Sequence, residues 1–340
     1  MAWRSLSCAA VLFFGTAAIV SAEPPTSQVS EYAGHGQWRD VTPAPPAPAA
    51  PDVIADPTLD EVERLLDANQ IHDAHELISP WLKQNPNAPD RDRGLFLLAE
   101  IYFAQDDRIT AFYHLDELMD KYPASHFFGV ALQKQYEIAD AFLNGYKRRF
   151  LGLHILSAED EAIEMLYRIQ ERSPGSAMAE RALLRTADYY FRTSQFDLAA
   201  DAYAAFAKSY PRSPDVSYVK LREAFSYLAQ FRGVRYDATP LLDARAKFAE
   251  VLDQFPDLAA EENVRERIDR IDRTLAEKLY ITADFYARTS KPKAAVYVYR
   301  YLIETYPATP AADEANRALA RLPAYDKTEP PPPPPAEGSS

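Results

Sequence analysis

Six prolines, Pro86, Pro123, Pro174, Pro211, Pro256 and Pro307, limit what this chain can fold into, because an alanine stands twelve residues before each of them: Ala74, Ala111, Ala162, Ala199, Ala244 and Ala295. Counting back from Pro307, Tyr286 stands at 21 residues, Ala283 at 24 and Leu279 at 28. The same offsets find Tyr190, Ala187 and Leu183 from Pro211, and Tyr102, Ala99 and Leu95 from Pro123. Positions four and three apart share one face of a helix, so each unit opens with a helix presenting Leu, Ala and Tyr together.

The second Ala of each unit falls on the facing side of a second helix. Paired alanines let two helices cross closely, and the Pro ends the second helix because it lacks an amide donor and keeps the preceding residue out of the helical region. A unit of about 34 residues with these landmarks is the tetratricopeptide pattern. The expected fold is therefore all-α, a tetratricopeptide-type solenoid of about six antiparallel helix pairs. One pair cannot cover its own apolar face, so stacking is what stabilises such an array. In the first unit Val62 and Leu65 replace Ala and Tyr, and Pro80 falls inside the second helix, as suits a capping repeat.

The ends read differently. Residues 1–22 carry Arg4, an apolar run from Ala9 to Val20 and the small-residue exit Val20-Ser21-Ala22, the pattern of a signal peptide. The single cysteine, Cys8, precedes that run and is unsuited to lipidation; cleavage after Ala22 leaves a chain without disulfides, thiolate metal sites or cysteine catalysis. Residues 23–57 read as a disordered Pro/Ala-rich linker whose one large apolar side chain, Trp38, either docks on a partner or stays unpacked. Residues 58–124 form the N-terminal repeats, 125–322 the later ones, and 323–340 a Pro-rich disordered tail.

Two units are stretched between their helices, the third between Asn144 and Ser157 and the fifth around Phe231 to Pro240. Insertions at the same joint of alternate units project from one side of a solenoid. The run from Ala259 to Ser290 lacks Pro and Gly and reads as one long helix, with alternating charges from Glu261 to Arg273 on a solvated face.

A net charge of −13 with no basic face excludes a nucleic-acid role. None of the motifs GxGxxG, Walker A, GxSxG or HExxH occurs, so the reading is not an enzyme and needs no cofactor. His72 and His75, with Glu76, have helical spacing that could hold a metal, but no further ligand is evident and no metal is expected. The candidate protein-binding groove lies on the first helices, beside the landmark face: Phe96, Glu100 and Phe103; Leu184, Asp188, Phe191 and Arg192; Tyr280, Asp284 and Arg288. Acids recurring beside aromatics suit an extended peptide with aromatic or basic side chains, while each residue alone is equally consistent with packing between units. In the first insertion, Tyr146, Lys147, Arg148, Arg149 and Phe150 are a candidate contact for a partner or an anionic lipid surface, the alternative being a loop packed on the stack.

Residues from about Ser125 to Ala320 resemble the BamD family, also called ComL or YfiO, of outer-membrane protein assembly factors. The resemblance is carried by Phe196 to Ser213, by Pro214-Asp-Val-Ser-Tyr218, by Ala244 to Pro256, and above all by Leu275-Ala-Glu-Lys-Leu-Tyr-Ile-Thr-Ala-Asp-Phe-Tyr286, with Lys293-Ala-Ala-Val and Tyr306-Pro-Ala-Thr-Pro310 following. It implies an exported periplasmic scaffold associated with the outer membrane. Such a scaffold holds a barrel-insertion protein through its later repeats and receives unfolded outer-membrane proteins on its earlier ones. The family is usually lipid-anchored, whereas Cys8 stands before the apolar run, and the units from Thr58 to Pro123 lie outside the resemblance. The alternative is an envelope scaffold that coordinates cell-wall or division machinery through the same groove.

Overall fold

The computed structural model describes residues 29–32, 38–41, 56–150 and 153–322, with side chains for 56–148 and 157–322. The expected signal peptide at 1–22, the expected tail from 323 and most of the expected linker lie outside the described residues. Two units separate at Ile54 and Ala55. The first contains a hairpin, Val29–Tyr32 (β1) against Trp38–Val41 (β2), with Val29 opposite Val41 and Tyr32 opposite Trp38. A stretch expected to lack structure thus holds a strand pair. β-Branched and aromatic residues flank Gly34 and Gly36 there, the composition of a short hairpin.

Among its described residues the second unit is helical apart from one hairpin and the connecting turns. Its first six helices are Pro57–Asp67 (α1), Ile71–Gln84 (α2), Arg91–Ala104 (α3), Arg108–Lys121 (α4), Phe128–Leu143 (α5) and Glu159–Arg172 (α6). Ala177–Arg192 (α7), Phe196–Ser209 (α8), Val216–Gln230 (α9), Thr239–Gln254 (α10), Pro256–Glu261 (α11), Val264–Arg288 (α12), Pro292–Thr305 (α13) and Pro310–Leu319 (α14) complete the array. The six pairs are α1–α2, α3–α4, α5–α6, α7–α8, α9–α10 and α12–α13, each packed on its neighbours.

The second helix of every pair ends two residues before its Pro. The residue between, Asn85, Tyr122, Ser173, Tyr210, Phe255 or Tyr306, has ψ between 55 and 65°, outside the helical region as a following Pro requires. The turn inside each pair passes through a left-handed residue: Asn69, Asp106, Ser194 and Ser290, with Gly145 and Gly233 in the stretched units. All six landmark alanines of the second helices are at most 1% exposed, as are Ala99, Ala139, Ala187, Ala224 and Ala283 on the first helices. Pro80 lies within α2 without breaking it and is exposed.

The run from Ala259 to Ser290 is two helices rather than one. Asn263 breaks it with φ 54°, a left-handed conformation that Asn tolerates better than most residues and that did not need the expected Gly or Pro signal. The array also continues past the sixth pair. The Thr309 hydroxyl caps α14 by accepting from the amide of Ala312, and α14 packs on α12 and α13. In the first insertion, Arg148–Phe150 (β3) pairs with Leu153–Leu156 (β4); the second is an irregular loop.

Candidate protein-binding surface

The expected groove residues of α3 gather around a lysine of the next pair. Glu100 lies 2.8 Å from the Lys134 ammonium on α5, and that ammonium stands 4.9 Å from the centre of the Phe103 ring. Phe96 stacks on Phe127 at 4.8 Å between centroids. Phe103 also faces the Arg108 guanidinium, which lies 5.1 Å from its ring and 4.0 Å from the Tyr146 ring. The structure therefore joins two regions that the sequence keeps separate, the α3 wall and the first insertion. Arg108, at the start of α4, is the side chain that links them.

The α7 residues, two units on, also face the next first helix. Asp188 accepts hydrogen bonds from Tyr203 Oη at 2.6 Å and Tyr218 Oη at 2.9 Å. Burial, then the neighbouring carboxylate, pushes the Tyr203 hydroxyl upward; the same two influences raise Tyr218, so both remain donors. Arg222 on α9 lies 3.6 Å from the Phe191 ring centre and donates from Nε to Tyr203 Oη at 3.3 Å. Arg192 donates to the carbonyl of Leu143 on α5, and Leu184 packs into the α7–α9 core. In the last pair Tyr280 meets Tyr299 at 5.7 Å between centroids, while Asp284 pairs with Arg288 at 2.9 Å along the helix.

The recurring acids are thus not equivalent. Glu100 and Asp188 bridge to the following first helix, and their cationic neighbours, Lys134 and Arg222, stand one repeat length downstream. Asp284 keeps 41% of its side chain open and Arg288 keeps 70%. The wall offers more open charge at its C-terminal end than along α3 and α7.

In the first insertion Tyr146 donates to Asp106, and Arg148 pairs with Glu161 of α6 at 2.9 Å. Lys147 is exposed; the side chains of Arg149 and Phe150 lie outside those described. A cleft of about 610 Å³ opens between the α3–α4 turn and this insertion, bordered by Asp107, Arg108, Tyr146 and Arg148. A second, of about 520 Å³, lies at the equivalent place two units on, bordered by Asp197, Gln230 and Tyr236. The His72, His75 and Glu76 side chains point to different partners. His72 and Glu76 form an exposed pair at 3.4 Å, whereas His75 Nε2 lies 3.3 Å from Tyr102 Oη. Among the described residues no group of three His, Cys, Asp or Glu side chains is placed to hold a metal, and no helix is long and apolar enough to cross a membrane.

Known proteins with similar sequences extend this picture. A tetratricopeptide repeat profile matches residues 93–125, the α3–α4 pair. The chain is 26% identical over 155 residues to the outer membrane protein assembly factor BamD of Rickettsia prowazekii, covering 46% of this chain and 62% of that protein. The BamD of Caulobacter vibrioides is 24% identical over 156 residues, covering 46% of this chain and 51% of its own length. For the BamD of Vibrio cholerae the figures are 27% over 185 residues, 49% and 77%. The first two matches thus span only half to three fifths of those relatives. The profile of the outer membrane lipoprotein family YfiO matches residues 156–327, from the end of the first insertion through α14 and just over half of the chain, and to that family this protein belongs.

Proposed function

We propose that this protein is an exported, non-enzymatic scaffold in the assembly of outer-membrane β-barrel proteins, working in the periplasm at the outer membrane. Its partners would be a barrel-insertion protein and unfolded outer-membrane segments. Membership of the YfiO family carries the reading, and the relatives named as assembly factors support it. The first-helix wall supplies a physical means. Aromatic rings beside carboxylates accept an extended segment with aromatic or basic side chains, and Tyr280, Asp284 and Arg288 form the most open part of that wall. Phe96, Glu100 and Phe103 would act where Lys134 can be displaced from Glu100. Lys147, beside Arg148 and Arg149 in the first insertion, is the point of contact for a partner or an anionic lipid surface.

Depletion in the cells that make the protein tests the reading. Folded barrels should disappear from the outer membrane while septation continues. Normal barrel levels with defective septation would refute it and favour a cell-wall or division scaffold. Replacing Lys147, Arg148 and Arg149 by Ser tests the insertion separately, since unchanged membrane and partner association would remove its proposed role.

A further inference from the structure

Two of the three recurring acids on the first-helix wall are neutralised by a cation. Glu100 takes the Lys134 ammonium at 2.8 Å, and Asp284 takes Arg288 at 2.9 Å. Asp188 is held differently. Its Oδ1 accepts from two phenols, Tyr203 Oη at 2.6 Å and Tyr218 Oη at 2.9 Å, and among the described residues no cation pairs with it. Arg222, the cation on the next first helix, has other partners. Its guanidinium lies 3.6 Å from the Phe191 ring centre and 5.8 Å from that of Tyr218, and its Nε donates to Tyr203 Oη at 3.3 Å. Tyr203, 0% exposed, thus stands between acid and base, donating to one and accepting from the other.

This arrangement leaves three polar atoms over. Among the described residues, Asp188 Oδ2 and the two Nη nitrogens of Arg222 make no hydrogen bond, and none of the three is buried. The half-buried Asp188 and Arg222 therefore turn a free acceptor and free donors to solvent between α7 and α9. Both groups are fixed in place. Two phenols hold the carboxylate, while stacking on Phe191 and the bond from Nε hold the guanidinium. An acid and a base on neighbouring helices otherwise close into a direct ion pair, as Glu100 and Lys134 do, and here Tyr203 stands in the way.

We infer that Asp188 and Arg222 clamp the main chain of an extended polypeptide, Asp188 Oδ2 accepting from a backbone amide and Arg222 Nη donating to the carbonyl of the same residue. The inference rests on the peptide groove proposed above and specifies what that groove reads between α7 and α9. Charge decides the class of ligand. An acidic side chain brought to Arg222 meets Asp188, and a basic one brought to Asp188 meets Arg222. A neutral group that carries a donor and an acceptor together satisfies both. In an extended chain the N–H and C=O of one residue point to the same side, as in the hydrogen-bonded pairs of an antiparallel sheet, so every second residue offers the two groups in one direction. An Asn or Gln side chain offers them only where a sequence happens to place one. Both bonds would be made to ionised groups, the stronger class of hydrogen bond. The clamp therefore holds a segment whatever its side chains are, which suits unfolded segments of many sequences. Arg222, which was not among the groove residues expected from the sequence, is the donor half of it.

Fluorescence anisotropy with the full chain and a labelled peptide of alternating serine and tyrosine tests the inference, beside the same peptide N-methylated throughout and a peptide of alternating lysine and tyrosine. The unmethylated serine peptide should bind, and methylation should weaken it about tenfold or more, the loss expected for a hydrogen bond to a charged group. D188N still accepts both phenols through its remaining oxygen but turns the free acceptor into a donor. D188N and R222M should each weaken the unmethylated peptide about tenfold, at the thermal midpoint of the parent, and should not weaken the methylated one further. R222K, which keeps the charge and loses the planar fork, serves in place of R222M if that variant melts early, and should weaken binding as well. Equal binding of the methylated and unmethylated peptides, parent-like binding by D188N and R222M, or binding of the lysine peptide alone would overturn the clamp and leave the groove standing. Failure of the serine and lysine peptides alike to bind the parent chain would overturn both.

Discussion

Glu223, inside α9, is 2% exposed, and its carboxylate lies 3.1 Å from the Lys247 ammonium of α10. Burial pushes this carboxyl above its usual range, and the hydrogen bond from Lys247 pulls it partway back. Replacing Lys247 by Met keeps most of the aliphatic stem and removes the charge. Glu223 must then stay ionised near Glu250 or take up a proton. The second route bounds the loss: keeping a proton at pH 7.5 on a carboxyl that titrates near 4.3 when unfolded costs about 4 kcal/mol, and at pH 5 about 1 kcal/mol. Lys247 is 31% exposed and part of its attraction is already screened, so K247M should lose about 2–3 kcal/mol at pH 7.5 and no more than about 1 kcal/mol at pH 5. The sign follows from the raised carboxyl. Its contribution is most favourable below the unfolded titration point and is lost as pH rises through the folded one. Urea unfolding followed by circular dichroism at both pH values, on the parent, K247M, E223Q and the double variant, measures this. The double variant should show no pH-dependent loss. An equal loss for K247M at both pH values, or a larger loss for E223Q than for K247M, would refute the reasoning.

Two substitutions test the backbone and the core. A Cβ added at Gly94 would lie 2.7 Å from Cζ3 of Trp81, whose indole nitrogen is fixed on Asp56 at 2.9 Å. Overpacking of about 1–3 kcal/mol should outweigh a helix-propensity gain of about 1 kcal/mol. G94A should therefore melt below the parent with altered tryptophan fluorescence, and a higher midpoint would contradict this. At Asn263, with φ 54°, Val should cost about 1–2 kcal/mol whereas Gly should leave the thermal midpoint nearly unchanged. Equal melting of the two variants would show that the break does not depend on that residue.

The repeat framework was readable because its rules are local. A Pro constrains the residue before it wherever it stands, and an Ala twelve residues before it marks a crossing whatever surrounds it. Pairings between units were readable in principle, since Glu100 and Lys134 stand one repeat length apart, yet charge type alone did not say that Glu100 turns toward the next helix or that Asp188 accepts from Tyr218 there. The break at Asn263 left no comparable mark, because a left-handed Asn costs little and the flanking residues favour helix on both sides. The exposure of the sixth pair left no mark either. Ile281 and Phe285 are 44% and 52% exposed, although they flank Ala283 as Leu97 and Ile101, 5% and 0% exposed, flank Ala99. Contacts with a partner in the groove follow from no periodicity, so the groove residues remain a proposal.

The helix α12 runs unbroken for 25 residues, about 37 Å at 1.5 Å per residue, and is a member of two cores. A loop between two blocks would let them swivel; a shared helix does not. Any movement of α13 and α14 relative to the α9–α10 core therefore has to bend α12 itself, because Ile271 and Leu275 hold one half of the rod and Ala276 and Ala283 the other.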